Sequence, residues 1–301
     1  MILPALKLAK KEITTENSAY IMGILNVSGD SFWEGSNRAD HSVDISVEAA
    51  LKMIEEGADI IDIGGESTRP GSSYISAEEE LSRVVPVVKA LRKKTDIPVS
   101  IDTRKAAVMK AALEEGADIL NDVSAMEDDA DMVKLVSEWK IPVILMHKRG
   151  IPSDMQSNTA YGNIVDEVGA YLAERAELAW KAGVDADKII LDCGIGFGKN
   201  LDGNIELIKA SKKVAESVIE TLNKNGADCK YLHVLAGLSR KSFIGQITGR
   251  EPSERLWGTV AADLMAVLYG ASIVRVHDVA AAKDSLAVYH AINDAEQRSG
   301  V

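Results

Sequence analysis

EEGADIIDIGG at residues 55–65 and EEGADILNDVS at 114–124 decide how the chain is built. Each phrase reads as a helix end, a glycine cap and a run of apolar residues. Gly57 and Gly116 stand where a helix C-terminus turns left-handed, a conformation that glycine adopts without a Cβ clash. The apolar runs that follow are continuous rather than alternating, as in parallel strands covered on both faces. Looser copies, NGADCKYLHVLAGLS (225–239) and YGASIVRVHD (269–278), repeat the phrase at Gly226 and Gly270. Helix, cap and buried strand together make a βαβ unit.

Working outward, the pattern predicts strands at Tyr20–Val27, Asp59–Gly65, Pro98–Thr103, Asp118–Val123, Pro142–His147, Ile189–Gly194, His233–Ser239 and Ser272–Asp278. Helical periodicity fills the intervals, as in HSVDISVEAALKMIEEG (41–57), IVDEVGAYLAERAELAWKAG (164–183) and SAEEELSRVVPVVKALRKK (76–94), where Ser76 and Glu79 have capping-box spacing. Eight alternations fit a single-domain α/β fold of the (β/α)8 barrel type. A doubly wound open sheet normally stops nearer six strands. Residues 1–19 then form an N-terminal extension, and 20–301 form the barrel.

The 301 residues are 46% hydrophobic and 27% charged, enough to bury a sizeable core. With 34 basic against 46 acidic residues, the net charge of -12 argues against sequence-independent nucleic-acid binding and against an anionic membrane surface. A local basic pocket remains possible within that balance. Cys193 and Cys229 are the only cysteines, too few for a disulfide framework or a structural zinc site. Free thiols suit a reducing compartment, so a cytoplasmic location is expected. The start, MILPALKLAKKEI, has too short an apolar run for a signal peptide, and no segment is long and apolar enough to span a membrane.

In a barrel of this type the reactive face lies at the C-terminal ends of the strands. Polar residues crowd there: Asn26, Glu66 to Arg69, Asp102, Asn121 and Asp122, His147, Asp192, Ser239 to Lys241, then Arg275 and His277. One Asp at a strand end is usually a helix N-cap or a turn former. A polar residue at every strand end asks for more. Asp102, Asn121 and Asp192 offer two carboxylates and an amide, which suit a neutral heterocycle rich in N–H donors, such as a 2-amino-4-oxo pyrimidine ring. Arg69, Lys241, Arg275 and His277 suit an anion. For Arg69 and Arg275 the plainer alternative is ion pairing with neighbours such as Glu66 or Asp278. DCGIGFGKN (192–200) lacks the spacing of a phosphate loop or a dinucleotide fingerprint. IGGESTRPGSS (63–73) has the composition of a barrel lid.

IMGILNVSGDSF, DIIDIGGESTRPG, SIDT, ILNDV, ILMHKRG, ILDCGIGFGK, LAGLSRKSFIG and VRVHDV, in that order from Tyr20 to Val279, resemble the dihydropteroate synthase family of the folate pathway, the target of sulfonamides. The resemblance implies a transferase. It would be a barrel, usually dimeric, that joins 7,8-dihydropterin-6-ylmethyl diphosphate to 4-aminobenzoate with release of diphosphate, assisted by magnesium (Mg2+). It implies a pterin site of Asp102, Asn121, Met146, Asp192 and Lys241. It further implies a diphosphate site of Asn26, Arg69, Arg275 and His277, with Asn26 at the metal. The aminobenzoate site would comprise Phe32, Thr68, Pro70, Phe197, Ser239 and Ser242, with Lys241 bridging the two substrates. Catalysis would rest on Asp102, Lys241, Arg69, Arg275 and His277, and no general base is expected because an aniline is neutral at pH 7.

The sequence departs from the family pattern in places. Gly29 stands where Pro is common, Trp33 follows Phe32, Cys193 replaces a Pro, and Lys148 and Arg149 occupy positions that are more often uncharged. The segment from Lys209 to Lys230 reads as an extended helix, and Arg240 has no expected ligand role. The alternatives are a catalytically silent pterin-binding paralogue and a folate-dependent methyltransferase of related fold. The latter should lack the complete diphosphate set.

Overall fold

Eight strands form where the sequence places them: β3 (Tyr20–Asn26), β4 (Ile60–Gly64), β5 (Val99–Asp102), β6 (Ile119–Asp122), β7 (Val143–Met146), β8 (Ile189–Asp192), β9 (His233–Ala236) and β10 (Ile273–Val276). They follow a short hairpin, β1 (Leu6–Lys7) and β2 (Glu12–Ile13). The structure, a computed structural model, describes residues 3–27, 38–67, 72–151 and 154–299, with backbone alone at 38–41 and 294–299. β3 to β10 pair in parallel and close into one barrel, β10 returning to β3. Gly57 and Gly116 sit at φ +104°, as the repeated phrase requires.

Because side chains alternate along a strand, a residue two positions beyond an inward-facing one also faces inward. Tyr20, Met22, Ile60, Ile119, Ile144, Ile190, Leu235 and Ile273 fill the lower interior as one buried cluster. Two positions beyond Ile60, Ile119, Ile144, Ile190 and Ile273 come Asp62, Asn121, Met146, Asp192 and Arg275. Apart from Met146, the upper layer is therefore polar by the same alternation that makes the lower layer apolar. The outward faces of the strands pack against the surrounding helices in a second, larger core.

Those helices are α1 (Arg38–Glu55), α2 (Ala77–Arg92), α3 (Ala106–Glu114), α4 (Asp131–Trp139), α5 (Ile164–Lys181), α6 (Leu201–Lys224), α7 (Ser242–Thr248), α8 (Leu256–Leu268) and α9 (Val279–Ser299). Ser76 caps α2 by accepting from the Glu79 N–H at 3.1 Å, and Asn200 caps α6 through Gly203 at 2.8 Å. The extended helix expected from Lys209 to Lys230 is α6, 24 residues long and packed against α5, but it begins at Leu201 and ends at Lys224. Residues 3–19 add a device that periodicity does not reveal. Leu6 and Leu8 of the hairpin region join the lower interior cluster, so the extension covers the N-terminal end of the barrel. Tyr20 ties it there, its hydroxyl donating to the Pro4 or Ile13 carbonyl, at 3.1 and 2.9 Å, and accepting from the Leu6 N–H at 3.2 Å.

Candidate active site

Strand register sets the floor of the site. Asn26 lies beside Gly64, Gly64 beside Asp102 and Asp102 beside Asn121, so the ends of β3 to β6 stand at one level. Across the mouth, Met146 lies beside Asp192.

Arg275 crosses this floor. Its Nε donates to Asp62 Oδ2 at 2.6 Å and its Nη2 donates to Asp102 Oδ2 at 2.7 Å. Asn121 Nδ2 donates to the same Asp62 oxygen at 3.1 Å. The chain of bonds joins β10, β4, β5 and β6 through the interior, and Asp62, Asp102 and Asn121 are all buried. Burial pushes the Asp102 carboxyl up to about 7 against the pull of Arg275, with the nearby Asp62 charge adding to the rise. For Arg275, burial works against the charge, but Asp62 and Asp102 outweigh it and raise the pKa. Arg275 thus pairs inside the barrel, while Asp278 pairs with Arg240.

Asp192 and Lys241 form the other half. Burial raises the Asp192 pKa, opposed by Lys241 and by the Gly194 N–H, which donates to Asp192 Oδ1 at 2.7 Å. Burial draws the Lys241 ammonium down to about 8, with Asp192 and Asp102 both within electrostatic reach to oppose it. Lys241 Nζ donates to the Ile195 carbonyl and lies 4.7 Å from the centre of the Phe197 ring. Met146, at the end of β7, is buried.

The turn after β9 divides its residues among different tasks. Ser239 Oγ lies 2.9 Å from His277 Nδ1 and accepts from the His277 N–H at 3.2 Å, which ties β9 to β10. Arg240 takes a left-handed backbone, φ +59°, and forms a two-pronged pair with Asp278, with bonds of 2.7 to 3.1 Å. Arg240 therefore braces this turn, while the Lys241 ammonium reaches the Ile195 carbonyl. Ser242 is exposed as the first residue of α7. Asn26 is exposed at the end of β3. Phe32, Thr68, Arg69 and Pro70 lie outside the described residues, as do Gly29 and Trp33.

Three strand-end residues play other parts. Asp122 accepts from the Ser124 N–H at 2.7 Å, the Ser124 hydroxyl at 2.6 Å and the Met126 N–H at 2.9 Å, so it builds a turn. His147 packs edge-on against Tyr171, ring centres 5.0 Å apart, and burial holds its ring neutral with a pKa of about 3. Glu66 accepts from Arg104 at 2.9 Å, Lys105 at 2.8 Å and the Ile75 N–H at 2.8 Å, which ties both flanks of residues 68–71 together. Lys148 pairs with Asp128 at 2.9 Å and Arg149 with Glu167 at 3.0 Å, so the two added cations at this rim are matched by carboxylates.

Two participants went unselected in the sequence. Asp62 is the one charge inside the apolar run IIDIG, a signal that was there to read. Lys199 gave none beyond following a glycine-rich turn. Among the described residues no three His, Cys, Asp or Glu side chains converge to hold a metal. The Asn26 amide oxygen is a hard donor of the kind that magnesium takes alongside phosphate oxygens, so the donor set fits an ion held jointly with a diphosphate.

Comparison with known proteins agrees with this geometry. Residues 22–277 match the family described as pterin binding enzymes. A dihydropteroate synthase of Synechocystis sp. is 43% identical over 263 residues, 87% of this chain and 86% of the relative. The Burkholderia cenocepacia dihydropteroate synthase complexed with 7,8-dihydropteroate superposes with a TM-score of 0.85 at 39% identity, covering 99% of each chain. The Xanthomonas albilineans dihydropteroate synthase with 4-aminobenzoic acid gives 0.82 at 40% identity, covering 96% of this chain and 98% of that one. The chain belongs to the pterin binding enzyme family and, within it, to the dihydropteroate synthases.

Proposed function

We propose that the protein joins 7,8-dihydropterin-6-ylmethyl diphosphate to 4-aminobenzoate, forming 7,8-dihydropteroate and releasing diphosphate in folate biosynthesis. The observation that carries this reading is the meeting of Asp102, Asn121, Asp192 and Lys241 at one barrel mouth. Carboxylate and amide oxygens there match the N–H edge of a pterin. Lys241, between Asp192 and Phe197, stands where it can touch both substrates.

The chemistry asks for two kinds of charge stabilisation. As diphosphate leaves, negative charge grows on its oxygens; Arg275 supplies positive charge from β10, and His277 supplies a hydrogen-bonding ring from the segment that follows it. Asn26 would hold magnesium together with the diphosphate, and the ion would add Lewis-acid stabilisation of the leaving group. Positive charge grows on the pterin methylene, and Asp102 below it offsets that charge. The aniline nitrogen of 4-aminobenzoate then captures the methylene and loses its proton without a dedicated base. Phe197 and Ser242 flank its site, and Phe32, Thr68, Arg69 and Pro70 complete the set that the family pattern implies.

The reading includes a homodimer. Ile247 on α7, Met265 and Leu268 on α8, Val288 and Ile292 on α9, and Trp257, 78% exposed, leave neighbouring helices with large apolar side chains in solvent. A second copy would cover them. Among the described residues no helix is long and apolar enough to cross a membrane, and both cysteines are free, which supports a cytoplasmic location. The deciding assay incubates the protein with both substrates and magnesium, then measures dihydropteroate and diphosphate. Binding of both substrates without release of diphosphate would identify a silent pterin-binding paralogue instead.

A further inference from the structure

Lys199 is 2% exposed and has no carboxylate at hydrogen-bond distance among the described residues. Its ammonium sits among His147 Nδ1 at 2.9 Å, the Gly194 carbonyl at 2.8 Å, the Phe197 carbonyl at 3.0 Å and the His147 carbonyl at 3.2 Å. A lysine amine buried among neutral acceptors loses more hydration than it regains, and burial draws its pKa down to about 7. An apolar side chain of the same length would cost less in stability, so a purely structural lysine is a poor explanation.

Gly194, Gly196 and Gly198 all have positive φ, which leaves residues 194–198 short of side chains that could hold their shape. The turn also lies hard against the end of β7. A Cβ on Gly194 would fall 1.8 Å from the His147 carbonyl oxygen. Each carbonyl of the turn has a partner, and the Gly194 carbonyl also accepts from the Phe197 N–H at 3.1 Å. Gly194 and Phe197 bond inward to Lys199, Ile195 to Lys241, Gly196 to Gln156 at 2.8 Å and Gly198 to the Tyr161 hydroxyl at 3.0 Å. Lys199 takes the two carbonyls on either side of the pair Ile195–Gly196. The Ile195 carbonyl between them bonds instead to Lys241.

We infer that Lys199 is a positioning residue: anchored on His147, it holds the Gly194–Phe197 turn in the shape that presents the Ile195 carbonyl and the Phe197 ring to Lys241. It acts through Lys241 and reaches no substrate itself. Its kinetic consequence rests on the proposed function, whereas its structural consequence does not.

Lys199→Met keeps the stem and removes the donors. Hydrogen exchange should show the peptide spanning 193–200 losing at least tenfold protection while the remaining barrel strands keep theirs. In the assay, the KM for 4-aminobenzoate should rise about tenfold in the native background and less than twofold when Lys241→Ala is already present, the non-additivity expected of residues that act in series. Equal fold-changes in both backgrounds, or unchanged exchange in 193–200, would overturn the inference. If Lys199→Met does not fold, Lys199→Gln, which retains two donors, carries the same comparison. A native protein that forms no dihydropteroate would defeat the functional reading alone, because the exchange experiment still decides the role of Lys199.

Discussion

Arg275 spans two carboxylates, donating to Asp62 at 2.6 Å and to Asp102 at 2.7 Å. Removing it leaves two buried carboxyl groups without the guanidinium that bridges them. Arg275→Met should therefore destabilise the fold by about 3–5 kcal/mol, the usual cost of stripping one partner from a buried ion pair. Denaturant titration measures it. Restoring part of the loss with Asp62→Asn in the same chain would locate the cause, and an unchanged midpoint would show that the carboxylates are neutral without Arg275.

Lys241 lies 4.7 Å from the centre of the Phe197 ring and within electrostatic reach of Asp192. Lys241→Ala should weaken pterin diphosphate and 4-aminobenzoate binding together, each by roughly 1.5–3 kcal/mol for a charge-assisted contact. Calorimetry with each ligand separates a bridge from a one-sided contact. Loss of only one affinity would confine Lys241 to that substrate.

Asp263 on α8 is buried, and its Oδ1 has no hydrogen-bond partner among the described residues. Burial raises its pKa well above the ordinary 3.8. The folded state thus binds this proton more tightly than the unfolded chain. Its contribution is fully present below about pH 4 and is lost as pH climbs through the raised value. Asp263→Ala should stabilise the protein by about 1–3 kcal/mol at neutral pH and by much less near pH 4.5. Thermal melts at the two pH values give the difference, and a destabilised variant at neutral pH would reveal a partner for the carboxylate.

The turn that Asp122 caps places Ala125 at φ +49° and Met126 at φ +64°. A left-handed backbone is strained for residues with a Cβ. Ala125→Gly should raise stability by about 0.5–1 kcal/mol once the greater freedom of glycine in the unfolded chain is allowed for. Urea midpoints test it directly. A drop would mean that packing of the Ala125 methyl outweighs the strain.

Trp257 is the most exposed of the large side chains on α8. Trp257→Asp should convert a homodimer into monomers at micromolar concentration while leaving the barrel folded. Sedimentation velocity and circular dichroism read the two properties separately. A native protein that sediments as a monomer would remove the dimer from the functional reading.

Barrel and mouth were largely legible because both follow from periodicity. The repeated glycine phrase marks each entry into a buried strand, and the strand ends carry Asp102, Asn121, Asp192 and Arg275. Other roles were not legible, because they depend on partners far away in sequence. Arg240 and Lys241 are adjacent, yet one pairs with Asp278 and the other reaches the Ile195 carbonyl. A left-handed φ at Arg240 parts them, and no local pattern announces it. Ser239 bonds to His277, 38 positions away.

By itself the sequence determined the order of strands and helices, the apolar lower layer and the polar upper one, and the family to which that polar layer belongs. Strand order and layering rest on spacing within single elements, which residue type records directly, and the family rests on the resemblance of the strand-end motifs. Only the tertiary structure decided that Asp62 and Asp102 share one guanidinium, that the hairpin at 6–13 covers the N-terminal end of the barrel, and that Lys199 has no carboxylate at hydrogen-bond distance among the described residues. The physical reason is that barrel closure brings β10 back to β3 and carries Arg275 within 3 Å of a carboxylate 213 residues away. Charge and burial then depend on which groups converge, and convergence is a property of the closed barrel rather than of any segment.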